Sequence, residues 1–202
     1  MSDMQNAWRI ERIQALKESL AFFSNPEKLN REKWVVRRLL QALRVCFKKE
    51  EMTEAQEPVD VAFRDAGFQV KELLDEGRRR NDEFRKRIAA AESAKDYSEL
   101  IEHYTPKDIA FSEIVRRCSL YAEKLLKESK YGPRECKSID LVCYFNWLDH
   151  DVVPPIDVPK KELAFRSLSI VSNRYCAVVY ASPAATALLR DNVGKAVEYF
   201  DT

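Results

Sequence analysis

The chain has 202 residues, of which 46% are hydrophobic and 33% are charged, and it contains only four glycines. This composition is typical of a globular protein, because disordered chains lack the apolar content and fibrous chains carry an excess of glycine. A chain of this length buries roughly 70% of its unfolded surface, so it can fold without disulfide or metal staples. The 34 basic and 33 acidic side chains give a net charge of +1, so attraction for nucleic acid must come from local patches.

The expected cellular environment follows from segments that the sequence lacks. No apolar run approaches the roughly 18 residues of a membrane span, and the opening MSDMQNAWRIER lacks the basic-then-apolar pattern of a secretory signal. The five cysteines have no C-x-x-C spacing, which is typical of reduced, mostly buried thiols rather than a zinc or disulfide framework. We therefore expect a cytoplasmic protein without membrane contact.

The N-terminal region has the periodicity of helices. Apolar residues recur every three or four positions over residues 7–23, which predicts an amphipathic helix. A second helix is expected to begin near Asn30, a suitable N-cap, with Glu32 in the first turn, where the helix dipole favours a carboxylate. Its inward stripe consists of Val35, Leu39, Leu43 and Phe47.

From residue 59 the apolar period changes to two, which predicts a β-hairpin over residues 59–73. We interpret residues 64–67 as a four-residue loop, so that Asp60 pairs with Lys71. Asp60, Gln69 and Lys71 then share a solvent-facing side, while the apolar residues of the hairpin face the core. A three-residue loop would instead put Asp60 on the face opposite Lys71.

The remaining elements are predicted from helix formers, breakers and β-branched runs. Strong helix formers from Arg78, with a second start signal at Thr105-Pro106, predict a long helix to about Lys130. Residues 139–147 are expected to form a buried strand and residues 149–159 a proline-rich loop. Two strands over residues 164–171 and 175–181 and a closing helix to about Arg190 complete the chain.

The predicted hairpin brings together the side chains that could carry chemistry. A carboxylate from Asp60 and an amide oxygen from Gln69 could ligate Mg²⁺, a hard cation that prefers oxygen. The ammonium group of Lys71 could stabilise the charge that develops on an attacked phosphate, while the metal lowers the pKa of a bound water. The ordinary alternative is a half-exposed sheet face that happens to carry these polar residues.

Pro58-x-Asp60 on one strand and Gln69-x-Lys71 on the next, between two helices, resembles the PD-(D/E)XK nuclease superfamily over about residues 30–146. SNPEKLNREKWVVRRLL and PVDVAFRDAGFQVKELLDEGRRR look like an uncharacterised bacterial family described as "putative endonuclease". The resemblance implies an α/β, restriction endonuclease-like, three-layer fold with a mixed central sheet flanked by helices. We expect a single domain over residues 1–202, with an N-terminal helical arm over residues 1–29 and a core over residues 30–202.

The resemblance also assigns roles to individual residues. Asp60 would be the metal-binding acid, Gln69 the second metal ligand, Lys71 the catalytic lysine and Glu32 an accessory acid from the first core helix. Two features depart from the pattern. Gln69 stands where an Asp or Glu is more common, which removes a negative charge, and Pro58 lies one residue further from Asp60 than in a strict Pro-Asp pair. For Glu32, a helix-dipole role is the alternative to metal ligation.

A basic segment over residues 77–87, with six basic and two acidic side chains, follows the lysine strand. Arg78, Arg79 and Arg80 could position a nucleic-acid backbone, because guanidinium forks suit phosphates. The alternative is a solvated helix in which Asp82 pairs with Lys86 and Glu83 with Arg87.

Other polar residues have weaker chemical patterns. His150 lies between Asp149 and Asp151, a trio that could bind a cation but is better explained as part of an exposed loop. Cys136 stands beside Arg134 and Lys137 without an obvious base partner, so we do not expect nucleophilic catalysis there.

The sequence therefore predicts a Mg²⁺-dependent endonuclease that acts on nucleic acid, with DNA as the expected substrate, and a homodimer is compatible with this activity. Two alternatives stay open. The first is a non-catalytic module of the same fold that binds nucleic acid or protein, which the missing carboxylate at position 69 favours. The second is a helical interaction protein that works through residues 78–130.

Overall fold

The computed structural model describes residues 3–74, 79–101, 106–127, 131–147, 150–158 and 162–199. The chain divides into two compact units, one formed by Met1–Arg31 with Glu76–Thr105 and the other by Glu32–Asp75 with Pro106–Thr202. The first unit thus combines the predicted N-terminal arm with a segment that the sequence assigned to the core. Whether residues 1–202 behave as a single domain stays a prediction.

The described helices and strands include most of the elements expected from the sequence. In chain order they are α1 Asp3–Phe22, α2 Lys28–Ala42, β1 Met52–Glu54, β2 Val61–Phe63, β3 Ala66–Leu74, α3 Arg80–Ser93, β4 Lys107–Ala110, α4 Phe111–Lys127, α5 Pro133–Cys136, β5 Asp140–Asn146, β6 His150–Val153, β7 Ser167–Ser172, β8 Tyr175–Ala181, α6 Ala187–Arg190 and β9 Ala196–Glu198. Short 3₁₀ turns cover Lys49–Glu51 and Tyr97–Leu100.

The first unit is built on packing between α1 and α3. Three of its buried residues, Ala91, Ala94 and Leu100, pack with the partly buried Trp8 and Ile13. Small alanines on α3 allow close approach to the larger side chains of α1. An ion pair between Lys17 and Glu92, with Nζ and Oε1 3.3 Å apart, joins the same two helices at the surface. The unit is therefore a pair of packed helices, distant from each other in sequence, with a small core.

The second unit contains a mixed seven-stranded sheet in the order β1-β2-β3-β5-β7-β8-β9. The central pairs β3–β5 and β5–β7 are parallel, and the outer pairs are antiparallel. Strands β5 and β7 are buried along their whole length, as expected of parallel strands covered on both faces.

Each face of the sheet is covered by a helix. On one face, Phe111, Ile114 and Cys118 of α4 pack with Leu141 and other buried residues of the strands. On the opposite face, Val35, Val36, Leu39 and Leu40 of α2 pack with Val61, Phe63, Phe68 and Val142. The predicted three-layer α/β class, with a mixed sheet between helices and a helix at the N-terminus, is confirmed.

Three element predictions were wrong. The long helix expected from residue 78 to about 130 is interrupted, because Lys107–Ala110 forms β4 and pairs in parallel with His150–Val153. This pairing also places a strand inside the segment expected to be a proline-rich loop. The closing helix is the single turn Ala187–Arg190, and the unpredicted strand β9 follows it.

The thiols follow the expectation of mostly buried cysteines. Cys118, Cys136, Cys143 and Cys176 are buried, while Cys46 is exposed. Burial raises the pKa of the Cys136 thiol and is the largest cause of its shift, which does not favour a thiolate nucleophile there. Among the helices in the described ranges, none has the length and apolar content needed to cross a bilayer.

Candidate functional site

The turn between β2 and β3 is two residues shorter than expected. Val61 pairs with Phe68, Ala62 with Gly67 and Phe63 with Ala66, so the predicted four-residue loop over residues 64–67 was wrong. Arg64 turns the chain with a φ of 49°, the left-handed region that favours Gly or Asn. The observed pairing differs from the predicted register by two residues, so each side chain within the paired strands stays on the predicted face of the hairpin.

Continuing this register would place Asp60 opposite Gln69 instead of Lys71. Asp60 itself lies just before β2, and its backbone N–H donates at 2.8 Å to the carbonyl oxygen of Phe68, the partner of Val61, so the regular ladder does not extend to Asp60. Gln69 pairs with Leu141 and Lys71 with Cys143 across the parallel β3–β5 ladder. Leu141 and Cys143 belong to the core on the α4 face, so Gln69 and Lys71 lie on that face, and Asp60 is joined to them by its hydrogen bond with Gln69.

The environment of these residues corrects the expectation of a solvent-facing side. Asp60 is 8% exposed and Gln69 is 3% exposed, and Lys71 is half-buried. Burial of a carboxylate and an amide is costly unless their polar atoms are hydrogen-bonded. Their partners therefore define the site.

Asp60 accepts two hydrogen bonds on one carboxylate oxygen. Its Oδ2 accepts from the backbone N–H of Val70, with 2.9 Å between Val70 N and Oδ2. The same oxygen accepts from Nε2 of Gln69. The carboxylate is thereby fixed on β3 by one backbone donor and one side-chain donor.

Tyr131 supplies a fourth polar group that the sequence did not reveal. Its hydroxyl donates to Oε1 of Gln69, with 2.8 Å between the oxygens, and its side chain is 4% exposed. Burial, followed by the charge of Asp60, raises the pKa of Tyr131 to about 12. The phenol is therefore protonated at neutral pH and acts as a hydrogen-bond donor.

Lys71 completes the group on the same face. Its Nζ lies 6.0 Å from the centroid of the Tyr131 ring, within the range of a cation–π contact. Asp60, Gln69, Tyr131 and Lys71 thus form one connected polar cluster, with an acceptor-rich end at Asp60 and a cationic end at Lys71. We call it the Asp60 cluster.

Glu32 lies on the other side of the sheet. It is 7% exposed and shares the buried stripe of α2 with Val35 and Val36, which pack on the face opposite the Asp60 cluster. Glu72 also projects to that face, where its Oε1 accepts from Asn146 Nδ2 at 2.9 Å. The helix that carries Glu32 thus packs on the face of the sheet opposite Gln69 and Lys71.

The predicted phosphate-binding arginines belong to the first unit. Arg78 lies outside the described residues, Arg79 is exposed just before α3, and Arg80 is the first residue of that helix. Further along α3, Arg87 Nη2 lies 3.1 Å from Glu83 Oε1, which confirms one predicted ion pair. Asp82 contacts Arg85, with 3.7 Å between Oδ1 and Nη1.

A second buried charge next to the hairpin has a structural role. Asp140 is fully buried and accepts from Arg166 Nε at 3.0 Å and from Ser167 Oγ at 2.8 Å. Its other oxygen accepts from the backbone N–H of Gly67 at 3.1 Å. A Cβ at Gly67 would also lie 3.2 Å from Cγ2 of Val59. Asp140 therefore connects the β2–β3 turn to β5 and β7.

His150 contributes an aromatic contact. Asp149 and His103 lie outside the described residues, so the Asp149-His150-Asp151 trio is not described in full. His150 begins β6, and its ring lies 4.5 Å from that of Trp147. A cation site at His150 stays untested.

The fold and the Asp60 cluster define an α/β protein with a buried carboxylate–amide pair beside a tyrosine and a lysine. The sequence model of the family described as "Putative endonuclease, protein of unknown function (DUF1780)" matches residues 9–201. The chain belongs to this family.

One solved structure is similar over nearly the whole chain. It is described as a protein of unknown function, PA4535, from Pseudomonas aeruginosa strain PAO1, of the monooxygenase superfamily. The two sequences are 26% identical, the match covers 98% of this chain and 97% of that one, and the TM-score is 0.66. No curated protein matches the sequence significantly.

Proposed function

We propose that the protein is an endonuclease that hydrolyses phosphodiester bonds of DNA with a divalent cation, at a site formed by Asp60, Gln69 and Lys71. The observation that carries the proposal is the convergence of these side chains on one face of adjacent strands, linked through hydrogen bonds and Tyr131. The family description, "Putative endonuclease", supports the same class of reaction.

The order of elements supports a PD-(D/E)XK-type arrangement. A helix, α2, precedes the strands that carry Asp60, Gln69 and Lys71, and the helix α4 and the parallel strand β5 follow them. This is the context in which Pro-x-Asp and Gln-x-Lys resemble the superfamily. Superfamily membership is part of the proposal, as is the choice of DNA over RNA.

The chemistry of the donor set fits a weakly held Mg²⁺. Asp60 offers carboxylate oxygens and Gln69 an amide oxygen, and Mg²⁺ commonly takes one or two carboxylates together with waters and substrate phosphates. In the described residues, no group of three or more His, Cys, Asp or Glu side chains could hold a metal. Because they offer oxygen ligands, Asp60 and Gln69 are the residues that would hold the ion, with the remaining coordination positions left to water and substrate.

Holding a cation requires the Gln69 amide to turn. Its N–H now points at Asp60 and its oxygen accepts from Tyr131. After a half-turn of the amide, the oxygen would face Asp60 and the N–H would face Tyr131. A phenol oxygen can accept as well as donate a hydrogen bond, so Tyr131 serves Gln69 in both orientations.

The other residues of the cluster act on charge and orientation. A bound Mg²⁺ would lower the pKa of a coordinated water and offset phosphate charge. The Lys71 ammonium stabilises the negative charge that accumulates on the phosphate oxygens during attack, as a preorganised cation in a partly desolvated site. Tyr131 orients Gln69 and, with its pKa at about 12, keeps its proton throughout the neutral range.

Cleavage assays on wild-type protein and site variants test the proposal. We expect the wild type to nick supercoiled plasmid or cut single-stranded DNA with Mg²⁺ or Mn²⁺ and not with chelator. Asp60→Ala and Lys71→Ala should each lower the rate at least about 100-fold, the usual scale for losing one charge-stabilising group. Lys137→Ala, which removes an exposed lysine, should cleave like wild type.

Because Asp60 is buried, Asp60→Asn is a second variant that keeps the side-chain shape. Circular dichroism must show that each variant folds. Cleavage that survives in folded Asp60→Asn and Lys71→Ala proteins would show that the activity arises elsewhere.

The hydrogen bond from Gln69 to Asp60 favours one alternative function, a non-catalytic nucleic-acid-binding module of the same fold. In this alternative the amide N–H permanently occupies the position beside the carboxylate that a cation would need. The same assays separate the two functions, because the module would retain DNA in a mobility-shift experiment without cleaving it under any metal condition.

A further inference from the structure

A groove in the first unit is lined by residues that do not belong to the Asp60 cluster. It has a volume of about 450 Å³ and runs along the surface of α1 and α3. Trp8, Glu11, Arg12 and Ser19 line it from α1, and Phe84 and Arg87 line it from α3. A cavity of this size falls within the range of small-molecule and cofactor sites.

Each helix contributes one aromatic ring to the groove. Trp8 and Phe84 are both half-buried. Phe84 is held in place by Phe23, whose ring is stacked with it at a centroid distance of 5.8 Å and an interplanar angle of 13°. A ring that is fixed from behind offers its remaining surface to a planar ligand at a low cost in conformational entropy.

Each helix also contributes a guanidinium group. The Cζ atom of Arg12 lies 5.7 Å from the centroid of the Trp8 ring, and Arg87 is held by the ion pair with Glu83. Glu11 is the acidic side chain of the lining, and Glu83, beside the groove, pairs with Arg87, so a phosphate would share Arg87 with Glu83. Guanidinium forks suit the paired oxygens of a phosphate.

We propose that this groove binds nucleotide units of a single-stranded nucleic acid. Unpaired bases would stack against Trp8 and Phe84, and the adjoining phosphates would contact Arg12 and Arg87. Aromatic rings beside cationic side chains are the pattern by which proteins hold single strands, because every base presents a π-face. A duplex keeps its bases stacked inside, so the rings would discriminate against it.

The inference rests on the proposed function only in expecting nucleic acid as the substrate class. It adds a binding site outside the Asp60 cluster and a preference for unpaired strands. Binding is therefore measurable without catalysis.

The test is fluorescence anisotropy of a labelled oligothymidine, with chelator present to prevent cleavage. We expect Arg12→Gln and Arg87→Gln each to weaken binding about 5- to 10-fold and to lower the slope of log affinity against log salt by about 0.7, the value for one phosphate of a single strand. Phe84→Leu should weaken binding at least about 5-fold, because the aromatic face on which a base would stack is lost.

A matched control comes from the same helix. Lys17→Gln removes an equal charge from α1 at a position paired with Glu92 and should bind like wild type. Circular dichroism checks that each variant folds, and Arg87→Lys, which keeps the charge but loses the fork, should fall between wild type and Arg87→Gln.

Three outcomes would overturn the inference: groove variants that bind like Lys17→Gln, a duplex that competes as well as the single strand, or a mononucleotide that binds as tightly as the oligomer. The last result would assign the groove to a free nucleotide. If wild type cleaves DNA while groove variants bind normally, the groove inference alone fails. If single strands bind through the groove and nothing is cleaved, the proposed nuclease function alone fails.

Discussion

Gln69 is the residue on which the chemistry of the Asp60 cluster depends. Its N–H saturates a carboxylate oxygen of Asp60, and its own oxygen accepts from Tyr131. The amide N–H thus occupies the Asp60 oxygen that a cation would otherwise bind, whereas a carboxylate at position 69 would add a negative charge that favours cation binding. Substitution at position 69 should therefore have a large effect on metal affinity.

We expect Gln69→Glu to bind Mn²⁺ at least about tenfold more tightly than wild type, a gain of roughly 1.4 kcal/mol. Two carboxylates in contact repel each other and favour a cation between them. Isothermal titration calorimetry measures the change. Gln56→Glu, the same substitution at an exposed position, is the control, and an equal affinity in both variants would contradict the assignment of Gln69 as a ligand.

Asp140 is the residue that we expect to matter most for stability. It pairs with Arg166, whose side chain is 16% exposed, while Asp140 itself is buried. Removing one partner of a buried ion pair leaves an unpaired charge, which costs about 3–5 kcal/mol. Asp140→Ala should lower the free energy of unfolding by that amount in urea titrations, and Asp157→Ala, at an exposed site, should change it little. A loss below about 1 kcal/mol, the scale of an exposed pair, would contradict this role.

At the scale of elements, the first turn of α4 carries a charge cluster that should make stability depend on pH. Glu113 accepts from Arg116 Nε at 2.6 Å and Arg117 Nε at 2.7 Å. Hydrogen bonds from Arg116, then Arg117, lower the pKa of Glu113 from 4.5 to about 2. A carboxyl whose pKa is depressed by folding stabilises the protein above its unfolded pKa.

The contribution of Glu113 should therefore be present at neutral pH and disappear as pH falls from about 4.5 toward 2. Because the cluster is partly exposed, we expect only about 0.5–1 kcal/mol at neutral pH. Thermal unfolding of wild type and Glu113→Gln measures it, with Glu50→Gln as an exposed control. A difference that persists unchanged at about pH 2 would show that the charge of the Glu113 carboxylate is not its source.

The hairpin shows which part of an element can be predicted from local sequence. Alternation predicted that Gln69 and Lys71 share a face, as the β3–β5 register shows, because parity depends only on the spacing of apolar residues. The turn was misplaced because Gly67 was taken as a turn glycine. Gly67 instead lies in β3, where Val59 and Asp140 approach it closely, and Arg64 adopts the positive φ.

The error over β4 has a different cause. Lys107–Ala110 follows a favourable helix-start signal, yet it pairs with His150–Val153 in a separate two-stranded sheet. Such pairing is decided by a distant partner, and strand preference depends more on context than helix preference does. Local propensity alone could not have predicted it.

At the scale of the whole molecule, the packing of helices on the sheet determines which polar side chains are buried, and the sequence alone did not predict this. Polar residues on one face of a hairpin predict exposure, but α4 packs on that face of the sheet, Tyr131 contacts Gln69, and both Asp60 and Gln69 are buried. Tyr131 reaches Gln69 from 62 residues away along the chain, and no local pattern marks it. The class of fold followed from the resemblance carried by residues 30–146, whereas the fourth member of the cluster required the tertiary structure.

The overall charge also limits the electrostatic attraction available for the proposed binding of DNA. With a net charge of +1, long-range attraction is weak and binding must rely on a few local cations, so its salt dependence should be shallow. Lys71 at the Asp60 cluster and the arginines of the groove are the cations that the two proposals use.

The most direct measurement is the rate of plasmid and single-strand cleavage by wild type and Gln69→Glu as the Mn²⁺ concentration is raised from zero. We expect both proteins to cleave only with metal, and Gln69→Glu to reach half its maximal rate at a lower concentration. Absence of cleavage by both folded proteins at every concentration, or cleavage that continues in chelator, would contradict a metal-dependent nuclease at Asp60, Gln69 and Lys71.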